Sequence, residues 1–181
     1  MMNNNTVKLA DVANGEVFKI GRFDFIKFSE ENGRSIAVAK DCIFNSRFGN
    51  DNNFAKSDIF KRLSDEILPE IENIVGADNV LEFETDLLSL DGSEKHGKMI
   101  SKISLPTFDF YRQNVKMFDR HKLDEWWWLA TPDSTSDHYN DNWIVCVSPA
   151  GGVNYDGFNN YCNGVRPFLI FSSSIFVSFE E

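Results

Sequence analysis

Long hydrophobic runs are missing from this chain. Stretches such as residues 168–171 fall far short of the roughly 20 apolar residues that a membrane-spanning helix needs, which excludes a bilayer span of that kind. The opening Met1-Met2-Asn3-Asn4-Asn5 has neither the basic nor the apolar segment of a secretory signal, so a cytoplasmic protein is expected. Cysteine is sparse: Cys42, Cys146 and Cys162 form no C-x-x-C pair and have no paired histidines beside them. Those spacings argue against a disulfide framework and a structural zinc site, and leave free thiols, as in a reducing compartment. His96, His121 and His138 are scattered, with no Cys, Glu or His at ligand spacing. There is no G-x-S-x-G elbow, no H-E-x-x-H and no Cys/His nucleophile arrangement, so a protein without catalysis, cofactor or metal is expected. Internal repeats, low-complexity tracts and interdomain linkers are also missing. Residues 1–181 therefore read as one domain, with residues 1–6 as a flexible N-terminal extension.

Basic residues are in short supply too, 18 Lys and Arg against 28 Asp and Glu, for a net charge of −10. The deficit is local. Residues 58–94 hold eleven acidic residues against Lys61 and Arg62, which places −9 of the total in one segment. An acidic face built from Asp58, Asp65, Glu66, Glu70 and Glu72 argues against direct nucleic-acid binding there and permits a basic partner, although a solvated surface is the ordinary explanation.

What the chain does have is apolar material, 42% of residues, with 14% aromatic, enough for a continuous core. Residues 15–21 and 23–28 alternate apolar and polar side chains, the pattern of strands half buried on a sheet. Asn32-Gly33 then supplies the pair that a type I′ hairpin wants before residues 35–39, so a meander opens the domain. Residues 44–54 read as a long loop. Ser57 caps a helix with Asp58 in its first turn and Ile59, Phe60, Leu63 and Ile67 on one face. Pro69 is expected to interrupt it, with a second short piece over residues 70–75 ending at Gly76. Further strands are expected near residues 80–84, 126–129, 143–147, 153–155, 165–171 and 174–179, and Thr107 caps a short helix through Tyr111 and Arg112. Residues 91–98 read as charged and mobile. Strands at both ends with helices between them give an α+β class.

Two near-motifs fail on their own chemistry. Gly92 through Lys98 fits G-x-x-x-x-G-K, but Met99 stands where a phosphate loop needs Ser or Thr, and residues 100–104 read as strand rather than helix. Asp133, Asp137, Asn140, Asp141 and Asn142 offer oxygen ligands for calcium, yet their spacing fits no EF-hand, and Asn and Asp are ordinary turn residues.

Trp126-Trp127-Trp128-Leu129-Ala130-Thr131-Pro132, Trp143-Ile144-Val145-Cys146-Val147, Gly151-Gly152-Val153 and Gly164-Val165-Arg166-Pro167-Phe168 together resemble a bacterial and phage domain family. That family ends in Trp-Trp-Leu-x-Ser/Thr-Pro, a Val-x-x-x-Gly hairpin and Gly-Val-Arg-Pro. The Gly15-Glu16-Val17-Phe18-Lys19-Ile20-Gly21 opening and the Ser57-Asp58-Ile59 helix are similar as well, so the likeness covers roughly residues 15–171. The ending looks like that of C-type-lectin-like domains, including formylglycine-generating-enzyme relatives and the variable proteins of diversity-generating retroelements. The resemblance implies a single compact C-type-lectin-like α+β domain with an N-terminal β-meander, a central helix and C-terminal strands, whose terminal strands and long loops present a ligand surface. It implies no reaction. Ala130, where the family often has a basic residue, and the acidic middle depart from its pattern.

The tryptophan triplet places rings on both faces of a strand, so one ring is expected in the main core and another under a loop or a partner. Arg166 is expected as a buried organiser that gives its donors to loop carbonyls or a carboxylate. For binding, the Tyr/Asn mixture is the strongest signal: Tyr139, Asn140 and Asp141, then Asn154, Tyr155, Asp156, Asn159, Asn160 and Tyr161. Tyrosine gives rigid amphipathic area at low entropic cost, and asparagine adapts its hydrogen bonds. The expectation is a non-catalytic module, of phage or mobile-element origin, that meets a protein or glycan partner through these loops, in the host cytoplasm if phage-encoded. The alternative is an acidic inhibitor, anti-CRISPR-like or a DNA mimic, that blocks a basic nucleic-acid-binding enzyme.

Overall fold

The computed structural model describes residues 5–135 and 141–179. Its strands are β1 (Asn5–Lys8), β2 (Val17–Ile20), β3 (Phe23–Glu31), β4 (Arg34–Ala39), β5 (Phe44–Asn45), β6 (Phe83–Asp86), β7 (Lys98–Ser101), β8 (Ile103–Ser104), β9 (Trp127–Pro132), β10 (Trp143–Val147), β11 (Val153–Gly157), β12 (Gly164–Val165), β13 (Phe168–Ser172) and β14 (Phe176–Phe179). They form a seven-stranded sheet in the order β1-β14-β2-β3-β4-β13-β8, a five-stranded sheet β11-β10-β9-β12-β5, and the hairpin β6-β7. The class is α+β and strand-rich. Strands β2, β3 and β4 form the opening meander, and Asn32 (φ 52°) and Gly33 (φ 74°) take the left-handed conformations that its tight second turn demands.

The N-terminus differs from the sequence expectation. Thr6, assigned above to a flexible extension, pairs with Ser178 where β1 lies antiparallel to β14. The partner strand sits at the other end of the chain, so local sequence carries no trace of it.

The proline does not break the central helix. Helix α1 (Asp58–Arg62), a π-helical turn over Leu63–Ile67 and helix α2 (Leu68–Val75) run on without interruption. Ser57 caps the start, its Oγ accepting from the Phe60 amide at 2.9 Å. Pro69 falls in the first turn of α2, where the wide turn before it relieves the clash that a proline ring makes with the carbonyl four residues back. The same turn adds a residue to the coil, which keeps Ile59, Leu63, Ile67 and Ile71 on one buried face.

The stretch 165–171 is not one strand. Gly164–Val165 belongs to the five-stranded sheet and Phe168–Ser172 to the seven-stranded one, with Arg166 and Pro167 as the corner. Pro167 has no amide hydrogen to continue a ladder, and its carbonyl accepts from Ala39 at 2.8 Å instead. The motif therefore joins the two sheets.

Each sheet contributes one face to each of two buried clusters. The larger gathers the helix face with Phe18, Phe25 and Trp128. The smaller lies under α3 (Phe108–Gln113) and α4 (Val115–Arg120) and holds Ile26, Phe28 and Trp127. Successive side chains of β9 point oppositely, so Trp127 and Trp128 enter different cores. Trp128 Nε1 donates to the Ser46 carbonyl at 2.9 Å, while Trp127 packs on Phe118 and Tyr111 at 5.4 and 5.8 Å between ring centroids. Its cover is a helix pair, neither a loop nor a partner, and Trp126 is partly exposed.

Candidate functional site

The Tyr/Asn stretch sits on the outer strand of the five-stranded sheet and in the loop that follows. Strand β11 is hydrogen-bonded on one side to β10 and forms the sheet edge on the other. Tyr155 is 55% exposed and Tyr161 66%. The Tyr155 ring meets Trp143 edge-on at 5.3 Å, which fixes its orientation while leaving a face in water.

The polar residues of this loop are turned on one another. Asp156 accepts hydrogen bonds from the side-chain amides of Asn160 and Asn163 and from the Gly157 amide. Asn160 Oδ1 accepts from the Cys162 amide at 2.8 Å, and Asn154 Oδ1 from the Tyr155 amide at 2.9 Å. Asn159 Oδ1 lies against Gly157. The side chains read from sequence as adaptable contacts thus build the loop, and the tyrosines project from it. Tyr139 and Asn140 lie outside the described residues; Asp141 is half-buried.

The five residues of the expected acidic face are each paired in space. Asp58 meets Arg47 at 2.6 Å, Glu70 meets Arg22 at 2.8 Å, and Glu72 meets Lys102 at 2.8 Å. Asp65 and Glu66 pair with Lys61 and Arg62 one helical turn earlier. Arg22, Arg47 and Lys102 come from outside the acidic segment, so a local count of −9 overstates the field that this surface presents. Tertiary pairing of this sort is invisible to a sequence window.

Arg166 is buried against the smaller core. Its Nε donates to the Ala39 carbonyl at 2.7 Å, and its guanidinium lies 5.2 Å from the ring centroids of both Phe118 and Trp127. Burial pulls its pKa down to about 10, which leaves it charged at neutral pH. The neighbouring Gly164 is a point of close approach, since a Cβ there would stand 2.3 Å from Cys42 Sγ. Burial raises the Cys42 thiol far above its ordinary range, and it pushes Cys146 up to about 12, with Asp156 adding to the shift. Neither thiol is set up as a nucleophile.

Among the described residues no group of three or more His, Cys, Asp or Glu is placed to hold a metal. Of the calcium candidates, Asp137 and Asn140 lie outside those residues, and burial, reinforced by Asp91, raises the Asp133 pKa. No helix among the described residues is long and apolar enough to cross a membrane.

Three features escaped the sequence reading. Residues 91–98 are anchored: Ser89, Asp91 and Ser93 bond one another, Thr135 Oγ1 donates to Ser93 at 3.0 Å, and His96 Nε2 lies 2.8 Å from Asn52 Oδ1. Asn52, within the stretch read as loop, is fully buried and also donates to the carbonyls of Ser134 and Trp143. The third is a cleft of about 480 Å³ between the β6-β7 hairpin, α3 and the β13 face of the seven-stranded sheet. Its walls come from segments distant in sequence, so no local motif announces it. Comparison of the chain with protein-family models, curated proteins and solved structures finds no match.

Proposed function

We propose that the protein is a non-catalytic binding module whose working surface is the β11 edge and the loop after it, and that its partner is a protein. One observation carries this reading: Tyr155 on the outer strand and Tyr161 on the loop after it are more than half exposed, and Asp156, between them in the chain, accepts hydrogen bonds from the Asn160 and Asn163 side chains. Anchors of that kind lose little entropy on binding. A strand edge also offers main-chain donors and acceptors to an extended partner segment. A glycan is the weaker choice, because the Asp156 carboxylate and the Asn160 and Asn163 amides that would meet sugar hydroxyls bond one another inside the loop. The motif likeness of the Trp-Trp-Leu and Gly-Val-Arg-Pro segments to a bacterial and phage family whose ending looks C-type-lectin-like supports the same assignment. The acidic-inhibitor reading is weakened by the ion pairs that neutralise its five residues.

The test is co-precipitation from the cell of origin at about 50 mM and about 500 mM salt, conditions that separate weak from strong screening. Three proteins are compared: the wild type, Tyr155→Ala/Tyr161→Ala, and Asp65→Lys/Glu66→Lys/Glu70→Lys/Glu72→Lys. The partner is expected to survive high salt and the lysine substitutions and to fall at least tenfold with the tyrosine pair, as hot-spot aromatics do. Loss at high salt and with the lysines, with the tyrosine variant unaffected, would instead support the inhibitor.

A further inference from the structure

The cleft beside the β6-β7 hairpin is lined by elements other than those that form the tyrosine edge, and it stands independently of that reading. Its floor is aromatic: Phe83 and Phe110 each meet Phe168 edge-on at 5.0 Å, and Phe108 and Ile170 continue the wall. Partly exposed Leu88 and Leu90 lie at its mouth. About 480 Å³ lies within the range of small-molecule sites.

Its polar lining is already committed, with one exception. Thr107 Oγ1 accepts from the Phe110 amide, and Thr131 Oγ1 from the Phe108 amide. Ser89 bonds Asp91, and Asp86 accepts from the Leu88 amide. Arg112 pairs with Asp109 at 2.9 Å and Lys98 with Glu84 at 2.7 Å. Thr85 lines the same cleft, is 4% exposed, and its hydroxyl has no hydrogen-bond partner among the described residues. A buried hydroxyl without a partner is costly, and a ligand seated against the Thr85 side chain recovers that cost once the hydroxyl turns toward the cleft. With Glu84 paired to Lys98 and Asp109 to Arg112, Asp86 leaves the lining with a net negative charge, so anions are disfavoured.

We propose that this cleft binds a small neutral or cationic molecule with a flat apolar body and one hydrogen-bonding group, held between the phenylalanine rings and the Thr85 hydroxyl. The site is tested by titrating the ¹⁵N-labelled full chain with 2-naphthol, naphthalene and 2-naphthoate. Saturable one-to-one shifts are expected for residues 83–92 and 105–112. Naphthalene should bind about tenfold more weakly than 2-naphthol, the value of one hydrogen bond, and 2-naphthoate most weakly. Thr85→Val keeps the side-chain shape and should bring 2-naphthol down to the affinity of naphthalene. Leu88→Trp, at a partly exposed position, should weaken both at least tenfold by filling the mouth. The proposal is overturned if none of the three compounds gives saturable shifts at those residues, or if 2-naphthol binds wild type and Thr85→Val equally.

Discussion

A lysine that is 2% exposed must bring its partners with it. Lys27 does: its Nζ donates to the carbonyls of Leu9 and Val12 at 2.8 Å and of Ala10 at 3.3 Å, and it meets Glu30 Oε2 at 2.6 Å. The residue closes the turn after β1 onto β3. In sequence Lys27 is only the polar member of an alternating strand, because the carbonyls that claim it lie fifteen or more residues earlier. Removing the ammonium leaves buried carbonyls unpaired, whereas neutralising Glu30 leaves them satisfied. Lys27→Met is therefore expected to lose about 3 kcal/mol of unfolding free energy in urea, and Glu30→Gln about 1 kcal/mol. Equal losses would show that the ion pair, not the carbonyl cage, is what matters. Arg166 works in the same manner at the sheet corner, where Ala39 and His121 supply its acceptors.

At the level of elements, the loop joining β6 to β7 has the clearest pH response. Burial is the first cause that holds the His96 pKa below its ordinary value; Lys95 and Lys56 act in the same sense, and Asp51 and Asp141 oppose it. A histidine with a depressed pKa in the folded state stabilises the fold above its unfolded value of about 6.5 and loses that contribution as pH falls toward the folded value. The His96 ring should titrate below about 6.5 by proton NMR, and His96→Gln should flatten the fall in urea stability between about pH 7 and about pH 5. A midpoint at or above the ordinary value would contradict the buried setting. The helix gives a second element-scale lesson. Its cap at Ser57, its buried face and its end at Gly76 can be read from residue spacing, but Pro69 reads as a break because no local rule signals the π turn that accommodates it.

Across the whole molecule, both sheets divide their side chains between the same two cores, so neither core has a private scaffold. Adjacent tryptophans of β9 report on them separately: Trp128 on the larger, Trp127 on the smaller. With 5-fluorotryptophan incorporated, the ¹⁹F resonances of the two residues are expected to lose native intensity at the same urea concentration, as in a single cooperative transition. Distinct midpoints would mean that α3, α4 and the smaller core melt alone. Charge is also a whole-molecule property here. The acidic segment draws Arg22, Arg47 and Lys102 from other parts of the chain, which brings its count from −9 to −6 in space.

The sequence by itself determined the α+β class, the opening meander with its Asn-Gly turn, and the helix start and stop. Each follows from periodicity, capping or turn chemistry confined to a few neighbouring residues. Tertiary structure alone decided the exposure of Tyr155 and Tyr161, the pairing of the terminal strands, the split of the Gly-Val-Arg-Pro segment between two sheets, the neutralised acidic helix, the carbonyl cage around Lys27 and the cleft at Thr85. These depend on which distant segments meet, and contact between remote parts of a chain leaves no period or spacing to read.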